Sequence, residues 1–352
     1  MDINSRILVA GYKGMVGSAI LNCLETKGYQ NIIAVGRQEL DFAIQADVER
    51  FFNETKPEYV FMAAAKVGGI NANNLYRADF IYENIQIQNN IIHQSYVHRV
   101  KKLLFLGTSC IYPKECYQPI KEQYLLTGEL EYTNEPYALA KIAGLKMCES
   151  YNIQHKTNFI AVMPTNIYGP NDNFNLETSH VLPALIRKIY LAKLLSENRK
   201  SEILRDLAFK DFSDARRCLE KFGIHSEKVE IWGTGKPRRE FLWSEDLAEA
   251  CVFIMENIEF EQLINDKKNI RNTHINIGTG IDISIESLSK MIAGIVGFQG
   301  KLKFNPKQPD GTYLKRLDVE KLAALGWRYK TGLKEGIGRL YELYRRGKRI
   351  RK

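Results

Sequence analysis

The sequence has no apolar run approaching the ~18 residues that cross a bilayer as a helix, so no membrane partner is expected. Residues Met1 to Ala10 lack the cationic start, long apolar stretch and small-residue cleavage site of a secretory leader, and are not expected to act as one. Cysteine is sparse. Cys23, Cys110, Cys116, Cys148, Cys218 and Cys251 are scattered, with no CxxC pair. That spacing excludes a recognisable disulfide framework or zinc site, so no metal is expected, and it fits a reduced cytoplasm. Low-complexity segments and internal repeats are also missing. With 45% hydrophobic and 26% charged residues, disorder is excluded. A chain of 352 residues suits two domains, or one large α/β domain with additions.

Positive charge is in excess, with 50 Lys and Arg against 41 Asp and Glu, a formal net charge of +9. Arg345, Arg346, Lys348, Arg349, Arg351 and Lys352, all within the last eight residues, supply six of those nine charges. A terminal run of this kind reads as a solvated tail. No zinc finger, RNA-binding signature or helix-turn-helix pattern accompanies it, so no nucleic-acid partner is expected.

The first half alternates short apolar runs with amphipathic ones. Strands are predicted at Arg6–Ala10, Asn31–Val35, Tyr59–Ala65, Lys102–Gly107 and Asn158–Met163. Helices are predicted between them, at Met15–Lys27, Asp47–Glu54, Ile81–His98 and Glu135–Gln154. Nearly continuous apolar strands alternating with helices indicate an α/β fold with a doubly wound parallel sheet of the Rossmann type. The second half predicts helices at Ser179–Leu195, Ser201–Phe222, Glu245–Asn257, Ser284–Val296 and Leu333–Tyr344, with a strand at Val229–Trp232. The expected organisation is a dinucleotide-binding domain over 1–178 and a smaller α/β substrate domain over 179–344. A helical insertion at about 196–228 interrupts the second domain, and a basic tail covers 345–352.

Gly11-Tyr12-Lys13-Gly14-Met15-Val16-Gly17 follows the first strand and opens the first helix. Glycines there permit a tight turn and let backbone N–H groups approach a pyrophosphate, and the helix N-terminus favours the anion. The second strand ends in Gly36-Arg37, with no carboxylate at the strand end and Lys13 in the loop. Two cations suit a 2′-phosphate, hence NADP(H).

Tyr137 and Lys141 form a YxxxK pair, which places both on one face of a helix. A nearby ammonium is expected to lower the phenol's pKa, so the tyrosine can exchange protons near neutrality. Thr108 and Ser109 end the fourth strand, where ligands bind in this fold. Hydroxyl, phenol, ammonium and nicotinamide together make a carbonyl-reduction site.

With these residues in place, the chain resembles the GDP-L-fucose synthase family of the extended short-chain dehydrogenase/reductase superfamily. The resemblance runs from about Arg6 to about Tyr344, interrupted around Ser196–Lys228. It is carried by AGYKGMVGSAI, AAAKVGGINANN, ADFIYENIQIQNNIIH, KLLFLGTSCIYPK, TNEPYALAKIAGLKMCESY, VMPTNIYGPNDNF, SHVLPALIRK, GTGKPRREFLWSEDLA and PDGTYLKRLD, all in order. It implies a reductive triad of Thr108 (where the family usually has serine), Tyr137 and Lys141. It implies Cys110 and His180 as acid and base for epimerisation beside a C-4 ketone. Cofactor contacts are implied for Gly11, Lys13, Gly14, Met15, Val16, Gly17, Arg37, Leu106, Gly107, Ser109, Lys141, Pro164, Asn166, Ile167 and His180. Lys188 (often arginine in the family), Trp232, Arg239 and Asp310 are implied to hold the GDP-sugar.

Related sugar-nucleotide dehydratases carry Thr-Asp-Glu where this chain has Thr108-Ser109-Cys110, so reduction is expected in place of dehydration. The resemblance therefore implies NADPH-dependent reduction of a GDP-4-keto-6-deoxy-sugar with C-3/C-5 epimerisation. The alternatives are a C-4 reductase without epimerisation, for instance on a GDP-heptose, and a non-catalytic NADP-binding sensor. It also implies a homodimer, built from helices 81–98 and 135–154.

Overall fold

The computed structural model describes residues 1–308 and 310–347, without the side chains of residues 70 and 71. Of the basic tail, 348–352 lie outside the described residues. In chain order the first part runs β1 (Ile7–Ala10), α1 (Met15–Thr26), β2 (Ile32–Val35), α2 (Gln45–Thr55), β3 (Tyr59–Met62), α3 (Ile70–Leu75), α4 (Arg77–Val97), β4 (Lys102–Leu106), α5 (Glu135–His155), β5 (Phe159–Pro164) and β6 (Asn166–Tyr168). Then follow α6 (Val181–Ser196), α7 (Lys200–Leu207), α8 (Phe212–Lys221), β7 (Lys228–Trp232), β8 (Arg238–Trp243) and α9 (Ser244–Asn257). The last are β9 (Ile275–Ile277), β10 (Asp282–Ser284), α10 (Ile285–Val296), β11 (Lys301–Asn305), β12 (Leu314–Lys315), α11 (Glu320–Ala324) and α12 (Leu333–Arg345).

The chain forms two compact units. The first holds Met1–Asn171, Glu240–Ile281 and Arg316–Thr331. The second holds Asp172–Arg239, Asp282–Lys315 and the chain from Gly332 onward. The sequence suggested a boundary at 178–179. The chain instead leaves the first unit after Asn171 and returns to it twice. It returns because the sheet needs those segments: β9 adds a sixth strand beside β5, with Val162 opposite Ile275, and α9 packs on α1.

The sheet of the first unit has the order β2-β1-β3-β4-β5-β9, and its neighbouring strands pair in parallel. Alternate residues of each strand face opposite layers. Ile7 and Val9 join a core with Leu24, Leu247 and Cys251, while Leu8 and Ala10 join Ile91, Leu103 and Leu145 on the other side. Both faces are covered, which is why the strands read as unbroken apolar runs. The order reverses at β1, flanked by β2 and β3, so a crevice opens at the C-terminal ends of β1 and β3.

In the second unit, β7 and β11 pair in parallel, and α10 packs against α6 and α12. The insertion is two helices where one was expected over 201–222. Ala208 adopts a left-handed conformation (φ 56°) and ends α7, and Asp211 caps α8 by accepting from the Ser213 and Asp214 amides. Arg187 ties the insertion to α6 through Asp206 Oδ1 at 2.9 Å, and the Tyr344 hydroxyl of α12 reaches the same carboxylate.

Glu240, fully buried at the middle of β8, gathers distant segments of the first unit. It accepts from the Thr279 amide at 2.5 Å, the Gly280 amide at 2.8 Å and the Leu317 amide at 2.8 Å. Burial pushes its carboxyl up, against the pull of those N–H groups. Removing the side chain strands one buried donor, the Leu317 amide, and two half-buried ones, the Thr279 and Gly280 amides. Glu240→Ala is therefore expected to cost about 3 kcal/mol or more, and Glu240→Gln less. Urea denaturation of the two variants checks this; wild-type stability in Glu240→Ala would refute it.

Candidate active site

The glycine loop is dictated by close contacts. Gly11 has φ +86°, and a Cβ there would stand 2.8 Å from the Ala64 backbone. A Cβ on Gly17 would stand 2.2 Å from the Gly11 carbonyl oxygen. The Gly14 amide closes the turn on that same oxygen at 2.9 Å. The first turn of α1 begins at half-buried Met15 and Val16, with its free amides at the loop. A cradle of backbone that side chains would fill, at a helix N-terminus, fits a pyrophosphate.

At the end of β2 the structure corrects the sequence reading. A carboxylate is present. Glu39 folds back so that one oxygen accepts from the Gly36 amide at 3.1 Å and the other from Lys13 Nζ at 2.5 Å. Arg37 is exposed and pairs with Glu83 at 3.2 Å and Asp41 at 3.7 Å. Lys13 and Arg37 are therefore each ion-paired, to different carboxylates.

Deeper in the first unit, α5 lies close against β4. A Cβ on Gly144 would stand 2.5 Å from the Phe105 ring. Lys141 is buried and donates to the Leu106 carbonyl at 2.9 Å, with its Nζ 5.9 Å from the centre of the Tyr137 ring. Tyr137 packs edge-on against Phe80, ring centres 6.1 Å apart. Burial lowers the Lys141 ammonium to about 8 and pushes the Tyr137 phenol well above its usual value. The expected lowering of the phenol is thus reversed, because desolvation outweighs the cation's influence.

Beyond β4, Leu106 and Ser109 are buried and Gly107 half-buried, and a Cβ on Gly107 would collide with Met163. Thr108 Oγ1 accepts from the Cys110 amide at 3.3 Å, which leaves its own proton to donate elsewhere. Cys110 Sγ accepts from Asn134 Nδ2 at 3.4 Å. Pro164 is buried at the end of β5, and Asn166 and Ile167 follow half-buried in β6.

The remaining expected residues belong to the second unit. His180 is the N-cap residue of α6 and is exposed as a residue. Desolvation by the surrounding protein nevertheless lowers its imidazole, and the positive end of α6 acts in the same direction. Lys188 donates to the Glu230 carbonyl at 2.5 Å, and burial lowers it to about 8. Trp232 is 53% exposed. Arg239 is half-buried and donates to the Arg238 carbonyl at 2.8 Å. Asp310 accepts from the amide and hydroxyl of Thr234 at 2.6 and 2.8 Å, so both its oxygens brace the 233–235 turn.

Sequence reasoning missed Glu39 and Asn134. Asn134 immediately precedes α5; its Oδ1 is buried and has no hydrogen-bond partner among the described residues. An acidic residue four positions beyond β2, and an amide three positions before the tyrosine, were the available signals.

The profile of the NAD dependent epimerase/dehydratase family matches residues 7–278. GDP-L-fucose synthase 1 of Arabidopsis thaliana is 48% identical over 97% of this chain and 94% of its own length. The GDP-L-fucose synthase of Escherichia coli K12 is 43% identical over 96% of each. Among solved structures, a GDP-6-OMe-4-keto-L-xylo-heptose reductase from C. jejuni superposes with a TM-score of 0.95, at 50% identity over 99% of both chains. A GDP-mannoheptose C4 reductase from Campylobacter jejuni with NADP bound gives 0.89, at 49% identity over 98% of this chain and 99% of that one. The chain belongs to the NAD-dependent epimerase/dehydratase family and, within the extended short-chain dehydrogenases/reductases, to the GDP-L-fucose synthase family.

Proposed function

We propose that this chain is an NADPH-dependent enzyme that reduces the C-4 ketone of a GDP-linked 4-keto-6-deoxy sugar after inverting C-3 and C-5. The observation that carries the reading is the Tyr137–Lys141 pair on α5, with Tyr137 half-buried and Lys141 buried and held on the Leu106 carbonyl at the ligand-binding edge of the sheet. NADPH, when bound, supplies the hydride. The Gly11–Gly17 cradle takes its pyrophosphate, with Lys13 and Arg37 as the cations available to a 2′-phosphate.

Tyr137 is protonated at neutral pH, the form that gives a proton to the C-4 oxygen. The Lys141 charge offsets the phenolate left behind, and the Thr108 hydroxyl donates to the same oxygen. The ketone acidifies the hydrogens at C-3 and C-5. Cys110 and a neutral His180 are the acid–base pair that removes a proton and returns it on the other face. Lys188 and Arg239 hold the diphosphate, Trp232 packs on base or sugar, and Asp310 keeps the neighbouring turn in place.

A second reading, C-4 reduction without epimerisation on a GDP-heptose, is favoured by the reductases solved at 49–50% identity. The two separate in deuterated water. The epimerase reading expects deuterium at C-3 and C-5; its absence from the product favours the second. Tyr137→Phe is expected to lose reduction by about 100-fold or more while exchange at C-3 and C-5 continues. Unchanged reduction in that variant would overturn both readings.

The pH profile follows from Lys141. Its acid form is the working form, so kcat/KM is expected to fall as pH rises through about 8, and Lys141→Met to lose that limb. A profile flat to pH 9.5 would contradict this.

The reading extends to assembly and compartment. Tyr82 and Val97 on α4, and Leu139 and Ile153 on α5, are exposed apolar residues that suit a homodimer through these helices. All six cysteines are free thiols, as in a reducing cytoplasm. Sedimentation at twice the 40.5 kDa chain mass is expected; a monomer at micromolar concentration would refute the dimer.

A further inference from the structure

The carboxylate at the end of β2 is not absorbed by the reductive chemistry. Gly36 is buried, and a Cβ there would stand 3.0 Å from Glu39 Oε2, 3.3 Å from Lys13 Cδ and 3.4 Å from Tyr12 Cε1. The strand end is thus a small platform covered by Tyr12, Lys13 and Glu39. One Glu39 oxygen is on the Gly36 amide at 3.1 Å, and the other is on Lys13 Nζ at 2.5 Å. Gln38 Oε1 also accepts from Lys13 Nζ, at 3.2 Å. This is the end of the strand next to the glycine cradle, where a dinucleotide places its adenine ribose.

The two dinucleotides make opposite demands on that platform. A 2′-phosphate needs Lys13 as its counter-ion and is repelled by a carboxylate. A 2′-hydroxyl is satisfied by a carboxylate that accepts its proton. Lys13 serves Glu39 or the phosphate. Arg37 adds little bias on its own, because it is exposed and already paired with Glu83 and Asp41.

We infer that Glu39 sets the degree of discrimination between NADP(H) and NAD(H), by competing with the 2′-phosphate for Lys13 and by accepting the 2′-hydroxyl when no phosphate is present. This rests on the dinucleotide reading above. The chain accordingly binds both dinucleotides, with a preference for the phosphorylated one that Glu39 restrains.

Direct binding tests this without turnover. Dissociation constants for NADP+ and NAD+ are measured by calorimetry at low salt, where exposed charges are least screened. Glu39→Gln keeps an acceptor for the Gly36 amide. It is expected to tighten NADP+ about fivefold, weaken NAD+, and so raise the ratio of the two affinities. Lys13→Met is expected to weaken NADP+ about tenfold and leave NAD+ within about twofold. If Glu39 only braces the turn, Glu39→Gln weakens both ligands alike or changes neither, and the inference is overturned. Equal loss of both ligands in Lys13→Met overturns it as well. If neither dinucleotide binds the wild-type protein, the dinucleotide reading falls first and this inference falls with it.

Discussion

The close approach of α5 to β4 is the constraint on which the rest of the reductive site depends. Only glycine at 144 lets the helix come so near the Phe105 ring. At that distance Lys141 can reach the Leu106 carbonyl from inside the protein, and its Nζ lies 4.9 Å from the centre of the Phe105 ring. Among the described residues that carbonyl is its hydrogen-bond partner and no carboxylate pairs with it, which is why desolvation is the cause of its lowered pKa. Tyr137, one helical turn earlier, inherits the same apolar surroundings. A helix seated further out would expose both groups to water, and both pKa values would relax toward their ordinary ones.

Two kinds of cation follow from burial. Lys13 and Arg37 are on the surface and already ion-paired, and those pairs add little to stability. Lys141 and Lys188 are desolvated and bonded to carbonyls, and both have fallen to about 8. The net charge of +9 predicts neither group. Charge at the chain terminus sets solubility and non-specific attraction, whereas the chemistry depends on a few ammonium groups held where charge is costly.

The sheet was legible because both of its faces are covered, so β1, β3, β4 and β5 stand out as apolar runs. The three-residue β9 carries too little pattern to be read, and with it went the return of the chain to the first unit. The insertion was read as one helix because nothing in its composition announces the left-handed Ala208. At the site, Tyr137 and Lys141 were legible from i,i+4 spacing taken together with the hydroxyls of Thr108 and Ser109 at the end of β4. The direction of the tyrosine's pKa was not, since spacing gives the neighbour and burial decides the sign. Glu39 and Asn134 escaped for a related reason: each reaches its partner through a turn whose shape is tertiary.

Lys188 shows how recognition and protonation are linked. In this structure it donates to a backbone carbonyl and has fallen to about 8, so it is mostly charged at neutral pH and loses its charge at mildly alkaline pH. A diphosphate placed against it, as the proposed function requires, favours the charged form and raises the pKa again. The nucleotide sugar thereby completes the site that binds it, and a neutral sugar without the diphosphate gains nothing from the same lysine. Tyr137 and Lys141 follow the same logic from the reacting end. Burial holds Tyr137 protonated, the form the reduction starts from, while Lys141 keeps its charge below about 8; the charge that forms at the C-4 oxygen as the hydride arrives then draws out the tyrosine's proton beside that cation.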